Sequence, residues 1–529
     1  MLKTYRGDFI FWIVVVLFAF LVAYNPAFGI IDDHCLTTTL LVDKSIPLFI
    51  MPDLGRYYPL DAQELNLLAF LFSPSPKVFY IFNALCLILV TTLLTRAFCI
   101  FFDPYFKNAK SISYIAVLIV LVSPAFLTSW LRLFVPERME FVFLSVFLYS
   151  YAVLYTRSTR KYLFYSCVCV YSSLIALFYK ETAFILVGAF AFFHIVFRRL
   201  SGEKIFKIDA LLLLNCLIWI VCYIFFIVLQ KNTEGMYGDS PYNRFFVFLK
   251  DFIVYSLNDP LATLGIFACL ILRILMVGTK QTKISPLYDS MLFASAVFVL
   301  SYIYLGISNV HYLLPVYIFA IPSVFVTLKT EWKQPVKILI WILGAIFLFN
   351  CIPLSFYSYM NYRFGSQNFQ SMLSYLQKYQ GKKNIYLEGV NRASGGEIYV
   401  SLSEWMSFYG IKDFDLLSDI PIDHAILGRA DPSSQYTVFR SNEVTKKKKG
   451  DLVILLSYSG LNVTYSSIQE MKSRYKLLFV ADSGWNVPLI GLRPLAKWVG
   501  LWLTKDRNDF SFNHNIFGLP IFVYVFEVK

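Results

Sequence analysis

The chain has 529 residues, 58% of them hydrophobic and only 15% charged, with a mean hydropathy of +0.60. A soluble globular chain averages about 25% charged residues, so most of this sequence is expected in lipid, and its 52 Phe and 36 Tyr suit lipid-facing surfaces and interfacial belts. The net charge of +13 sits in short loops between apolar runs, which points to loop charges that fix orientation and away from nucleic-acid binding.

A membrane span needs roughly 20 apolar residues, and about eleven runs qualify. They are 9–28, 78–100, 112–131, 139–155, 162–179, 183–197, 210–229, 261–277, 287–305, 312–328 and 338–354. The first, preceded by Lys3 and Arg6, reads as an uncleaved signal-anchor. All nine Cys precede Ser355, and only Cys35 lies in a loop, so neither a disulfide framework nor a zinc site is expected.

Alternate loops are basic: Arg96, Lys107 and Lys110; Arg157, Arg160 and Lys161; Arg198, Arg199, Lys204 and Lys207; Lys280 and Lys283; Lys329, Lys333 and Lys337. By the positive-inside rule these face the cytoplasm, with the N-terminus. The opposite loops then face outward. They hold Asp32 and Asp33, Glu137 and Arg138, Lys180 and Glu181, a 231–260 loop with Arg244, and His311. The polar residues that look chemical share one side.

After residue 354 the hydropathy falls and roughly 175 residues follow, enough for one outer domain. Helices are expected at 367–379, 397–410 and 466–474, and strands at 384–390, 436–440, 451–457 and 476–481, an α/β layer. The stretch 489–504, apolar with Arg493 and Lys497, suits either the membrane interface or a core helix. The run 446–449 of four Lys reads as a solvated loop.

The first outer loop, 25–80, is the most informative stretch. Asp32 and Asp33 abut the end of the first span, followed by His34, Asp53, Arg56, Asp61 and Glu64. A carboxylate there can act as a general base toward an acceptor hydroxyl, or merely cap a helix end. Asp53, Asp61 and Glu64 read as structural residues of juxtamembrane helices. Glu137 and Glu140, three apart on a helix, can face one way. They then bind a divalent cation such as Mg or Mn, or pair with arginines. Arg132, Arg138 and Arg56 can hold phosphate. Lys180, beside Glu181 in a tight hairpin, can meet an anionic leaving group, or simply occupy the least costly place for a charge. His311 ends a span that contains Pro315 and Pro322 and can stabilise the leaving phosphate, or merely sits at the water boundary of a kinked helix, while His194 reads as a packed histidine.

Together these features resemble the GT-C superfamily of polytopic glycosyltransferases. Asp32 or Asp33 matches the acidic position of the first outer loop. HYLLPVYIFAIP (from His311) is similar to the late (R/H)-Y-x-L-P run of many members, YKET (from Tyr179) to their outer-loop Lys motif, and PERME (from Pro136) sits where some carry a second acidic motif. GRYYPL (from Gly55) is similar to bacterial glucosyltransferases that decorate O-antigen. No WWDYG-like motif and no β-trefoil insertion is present, so transfer to a glycan or lipid is expected over transfer to protein. The resemblance implies a mostly α, polytopic catalytic domain over 1–354 and an extracytoplasmic α/β domain over 355–529. It also implies an inverting reaction, a polyprenyl-phosphate-sugar donor and a bacterial inner membrane. A polysaccharide polymerase or ligase using a lipid-diphosphate donor, with Arg244 central, and a transporter or flippase are the competing readings.

Overall fold

The computed structural model describes residues 2–156, 160–230, 244–329, 334–379, 383–390, 395–411, 414–422, 437–456, 465–484, 491–503 and 521–529. The membrane part comprises α1 (Leu2–Ala23), α2 (Gln63–Leu71), α3 (Pro76–Phe102), α4 (Ala109–Leu121), α5 (Pro124–Trp130), α6 (Pro136–Thr156), α7 (Tyr162–Tyr179) and α8 (Ala183–Leu200). It continues with α9 (Lys207–Phe226), α10 (Arg244–Asn258), α11 (Ile266–Gly278), α12 (Pro286–Leu305), α13 (Tyr317–Lys329) and α14 (Gln334–Gln377). Among the described residues nine helical stretches are long and apolar enough to cross a membrane; α4 with α5 forms a bent pair, and the apolar part of α1 is shorter. The chain is a multi-pass membrane protein.

The expected span 112–131 is broken, with α4 and α5 bent by 63°. Ser123 accepts the Phe126 N–H at 3.2 Å and so caps a new helix. Pro124, at its first turn, has no N–H with which to continue α4. All seven residues of α5 are buried, and α5 packs on α14 and on a 3-10 segment, Val310–Val316. Pro315 lies within that segment and only Pro322 sits inside α13.

One further expectation changes, and another gains detail. Residues 244–258 of the expected outer loop form α10; 231–243 fall outside the described residues. Its Arg244 donates to the Tyr304 hydroxyl at 2.7 Å on an exposed surface. His194 is packed, as expected, but also hydrogen-bonded. Its Nδ1 lies 2.8 Å from both the Tyr151 hydroxyl and Asp209 Oδ2, with all three residues fully buried.

The last span does not stop near 354. α14 runs for 44 residues, about 66 Å at 1.5 Å per residue, against a hydrocarbon core of about 30 Å. Its far end carries the C-terminal sheet, where Tyr375 stacks on Phe479 at 4.9 Å. The remaining elements are β3 (Lys383–Glu388), α15 (Gly395–Phe408), β4 (Phe414–Ser418), β5 (Thr437–Val444), β6 (Leu452–Leu456), α16 (Tyr465–Arg474), β7 (Tyr475–Asp482), α17 (Leu492–Leu503) and β8 (Phe522–Val528). Two short strands, β1 (Ile50–Met51) and β2 (Arg56–Tyr57), pair in the first loop. The six-stranded order is β5-β4-β3-β6-β8-β7. The first four strands are parallel, and β8 runs antiparallel to both its neighbours. All of β6 is buried, as a central strand requires. β4 and β8 were not expected.

The lysine run is not simply solvated: Lys447 is paired with Glu388 at 2.6 Å and Asp419 at 2.9 Å. On α17, Val499 and Leu503 stay exposed. Asn350 of α14 ties it down, accepting the Leu492 N–H at 2.9 Å.

Candidate active site

At the end of the bundle where α1 closes, residues 25–32 leave as an open chain clamped by α14 and α15. Gln367 donates to Asn25 O at 2.6 Å and Gln370 to Phe28 O at 3.2 Å. Ser401 donates to Ile30 O, and Arg363 to Val22 O with its guanidinium 4.7 Å from the Tyr80 ring centroid. The clamp ends on a strained residue. Asp32 has φ +67°, a conformation that costs a non-glycine residue about 1–3 kcal/mol and persists only where the surroundings impose it.

The two adjacent carboxylates differ. Asp32 forms an ion pair with Arg132, and its side chain remains 32% exposed. Asp33 is 2% exposed, and its Oδ2 accepts the Gly29 N–H at 2.6 Å. Glycine suits position 29 because a Cβ there would lie 3.2 Å from that oxygen. Burial pushes the Asp33 carboxyl up to about 7; the Gly29 N–H opposes this and the charge of Asp32 adds to it. Beside Asp33 lies a cavity of about 30 Å³ lined by Gly29, Tyr80, Arg132, Tyr362 and Ser366, polar and roomy enough for a water.

Three more cations extend the site, each balanced by a carboxylate from a different segment. Arg138, fully buried on α6, donates to Glu64 Oε1 at 2.6 Å and to the Arg132 carbonyl at 2.7 Å, fixing the backbone that presents Arg132. Lys180, between α7 and α8, lies 3.0 Å from Glu137 Oε1 and 4.8 Å from the Tyr312 ring centroid. Burial opposes its charge, but Glu137 and Glu181 outweigh that and hold its pKa above the usual lysine range. Arg56 pairs with Glu181 and lies 4.7 Å from the Tyr58 ring centroid. Asp61 is buried beside this row, and burial first, then Glu64, keeps its carboxyl well above the usual range. The His311 ring stands 4.2 Å from that of Tyr312.

The structure therefore brings Asp32, Asp33, Arg132, Arg138, Lys180, Arg56, Glu181, Glu137 and His311 to one end of the bundle. It does not pair Glu137 and Glu140 with arginines. Glu137 takes Lys180, Arg138 takes the supposedly structural Glu64, and among the described residues neither Glu140 oxygen has a hydrogen-bond partner. Among the described residues no three His, Cys, Asp or Glu converge as metal ligands. Glu137 lies against Lys180, while both oxygens of Glu137 and of Glu140 have no hydrogen-bond partner among the described residues.

Exposure separates the cations by what they can reach. Arg132 and Arg56 keep 19% and 14% of their side chains exposed, whereas Lys180 and Arg138 keep 4% and 0%. The first two are open to an approaching anion; the second two are largely covered beside their carboxylate partners. Breaking a buried pair by removing one partner costs about 3–5 kcal/mol.

Sequence reasoning passed over Tyr58 and Tyr312, whose rings flank the cations, although both lie in the motifs GRYYPL and HYLLPVYIFAIP. It also missed Glu397 on α15, in a segment with no motif. Burial raises the Glu397 carboxyl to about 7, Asp32 adds to the shift and Arg132 opposes it.

No protein-family model and no curated protein matches the sequence. Among solved structures, the chain is similar to ArnT from Cupriavidus metallidurans bound to undecaprenyl phosphate, with 12% sequence identity, a TM-score of 0.47, and coverage of 89% of this chain and 95% of that one. At that score the likeness assigns neither activity nor site.

Proposed function

We propose that the chain is an inverting GT-C-type glycosyltransferase that moves a sugar from a polyprenyl-phosphate donor to a cell-envelope glycan or lipid such as O-antigen. The loop charges orient the site and the sheet domain to the outer face, with the N-terminus in the cytoplasm of a bacterial inner membrane. The observation that carries the reading is the Asp32–Arg132 pair. A strained, partly exposed carboxylate at the end of the first helix sits against a partly exposed guanidinium, on a frame of buried ion pairs. Ionisable groups at membrane depth are costly and mark function.

Asp32 is the base, because Asp33 is buried and engaged by Gly29. Its carboxylate takes the proton of an acceptor hydroxyl as that oxygen attacks the anomeric carbon from the face opposite the phosphate. The bond from the anomeric carbon to the phosphate oxygen breaks, and the electron pair leaves on the polyprenyl phosphate. Negative charge grows there, and Arg132 and Arg56, preplaced at low dielectric, favour that state. Arg138 and Lys180 hold the frame; His311 closes it beside Tyr312.

The test compares envelope-glycan masses of a deletion strain complemented with wild type, Asp32→Asn or Asp33→Asn at equal membrane levels. Loss of one defined sugar with Asp32→Asn, kept with Asp33→Asn, supports the assignment, and the missing mass names the sugar. A fully restored profile with Asp32→Asn would sink it.

A further inference from the structure

On α15, three residues four apart make one stripe along the first loop. Trp405 stacks on Phe28 at 5.6 Å, and Ser401 donates to Ile30 O. Glu397 is the next residue of the stripe, one turn before Ser401 on α15, where the loop bends at residues 30–32 into Asp33–Thr38. Residues four apart share a helix face, and α15 packs directly on the segment Asp33–Thr38. The shift of the Glu397 carboxyl is consistent with this placement, since both Asp32 and Arg132 act on it. Among the described residues Glu397 makes no hydrogen bond or ion pair of its own, and its side chain is neither fully buried nor fully exposed.

We propose that Glu397 is the C-terminal domain's contribution to the active site, a carboxylate that binds the acceptor sugar through its hydroxyls and holds the reacting one against Asp32. The inference rests on the glycosyltransferase reading. The chemistry suits carbohydrate: two carboxylates on either side of one guanidinium offer several acceptor oxygens to a ligand rich in O–H donors. Asp32 takes the proton; Glu397 only accepts a hydrogen bond, so it sets affinity for the acceptor while Asp32 sets the rate. The acceptor would then lie between the membrane bundle and the sheet domain, on the side of Arg132 that α15 covers.

The test uses the full-length protein in nanodiscs, with wild-type host lipid extract as donor and deletion-strain envelope as acceptor, transfer being read by mass. Glu397→Gln is expected to raise the half-saturating amount of envelope about tenfold, the size of one charge-assisted hydrogen bond, with the maximal rate within about twofold. Glu397→Asp, which keeps the charge and withdraws it by one methylene, is expected to raise it about threefold. An unchanged half-saturation in both variants overturns the proposal. So does a fall in maximal rate with no change in half-saturation, the mark of a residue that only supports the fold. If Glu397→Gln does not accumulate in membranes, Glu397→Asp decides by the same readings. A fully active Asp32→Asn would remove the glycosyltransferase reading itself. An inactive Asp32→Asn beside an unshifted half-saturation in the Glu397 variants would remove only the role of Glu397.

Discussion

Both ends of the helix bundle bury charge, but they bury it differently. At the end where α6, α8 and α9 meet, Tyr151, His194 and Asp209 form a closed triangle of hydrogen bonds, fully buried. Nearby ends of α11 and α12 are joined by Arg273 and Asp289 at 2.5 Å, with another contact at 3.0 Å. At the opposite end the pairs are graded, from the sealed Arg138–Glu64 to Asp32–Arg132, whose partners stay partly exposed and whose carboxylate rides on strained backbone. Burial of charge alone therefore does not identify a reactive site in this bundle. Partial access and imposed strain mark the end where we place the reaction.

The sharpest way to break the contrast is to remove a charge at each end. Arg132→Gln should lower sugar transfer about 10²–10³-fold, as loss of one preorganised charge-stabilising group does, while the protein still reaches the membrane. Asp209→Asn should lower the melting temperature in detergent and leave transfer per folded molecule unchanged. Equal losses of transfer from both would erase the distinction between the ends.

A second, intermediate effect concerns the frame. Lys180→Met leaves Glu137 buried without its cation and should destabilise by about 3–5 kcal/mol, whereas the double variant Lys180→Met, Glu137→Met should recover much of that. Thermal unfolding of the two purified proteins measures the difference. A double variant no more stable than the single one would show that the pair does not act as a unit.

The smallest effect is a pH dependence. Asp33 is held near 7, above the usual carboxylate value of 3.8, so the folded state binds the extra proton between those values. Its contribution to stability is full below about 4, falls as pH rises toward 7, and is flat above. Asp33→Asn, which keeps an oxygen for the Gly29 N–H, should therefore gain melting temperature over wild type progressively from pH 4 to 7. A constant difference across that range would remove Asp33 as the source.

Much of this architecture could be read from residues, and the limits have physical causes. Apolar runs mark the spans because lipid demands them whatever the tertiary packing. The break at Ser123–Pro124 was hidden because α5 is as apolar as a span, and only its cap and its bend distinguish it. Asp32, Asp33, Arg132 and Lys180 stood out because charge beside an apolar run is costly. Who pairs with whom was not legible, since Arg138 finds Glu64 across 74 residues of sequence and Lys180 finds Glu137 across a helix pair. Glu397 had no local signal at all: tertiary packing of α15 on the first loop places it. β8, FVYVFEV, is buried on its first five residues, and its near-continuous apolar run reads as poorly as any central strand.

The unbroken α14 has a consequence for how the two parts of the molecule are assembled. A flexible linker would leave the sheet domain free to choose its orientation; a continuous helix sets it by phase. Each residue added to α14 would rotate the sheet domain by about 100° about the helix axis, and the side chains that grip the end of α1 and the first loop, Arg363, Gln367 and Gln370, occupy adjoining turns of it. The number of residues between the membrane and the sheet thus acts as an index, selecting which face of the domain looks down on Asp32.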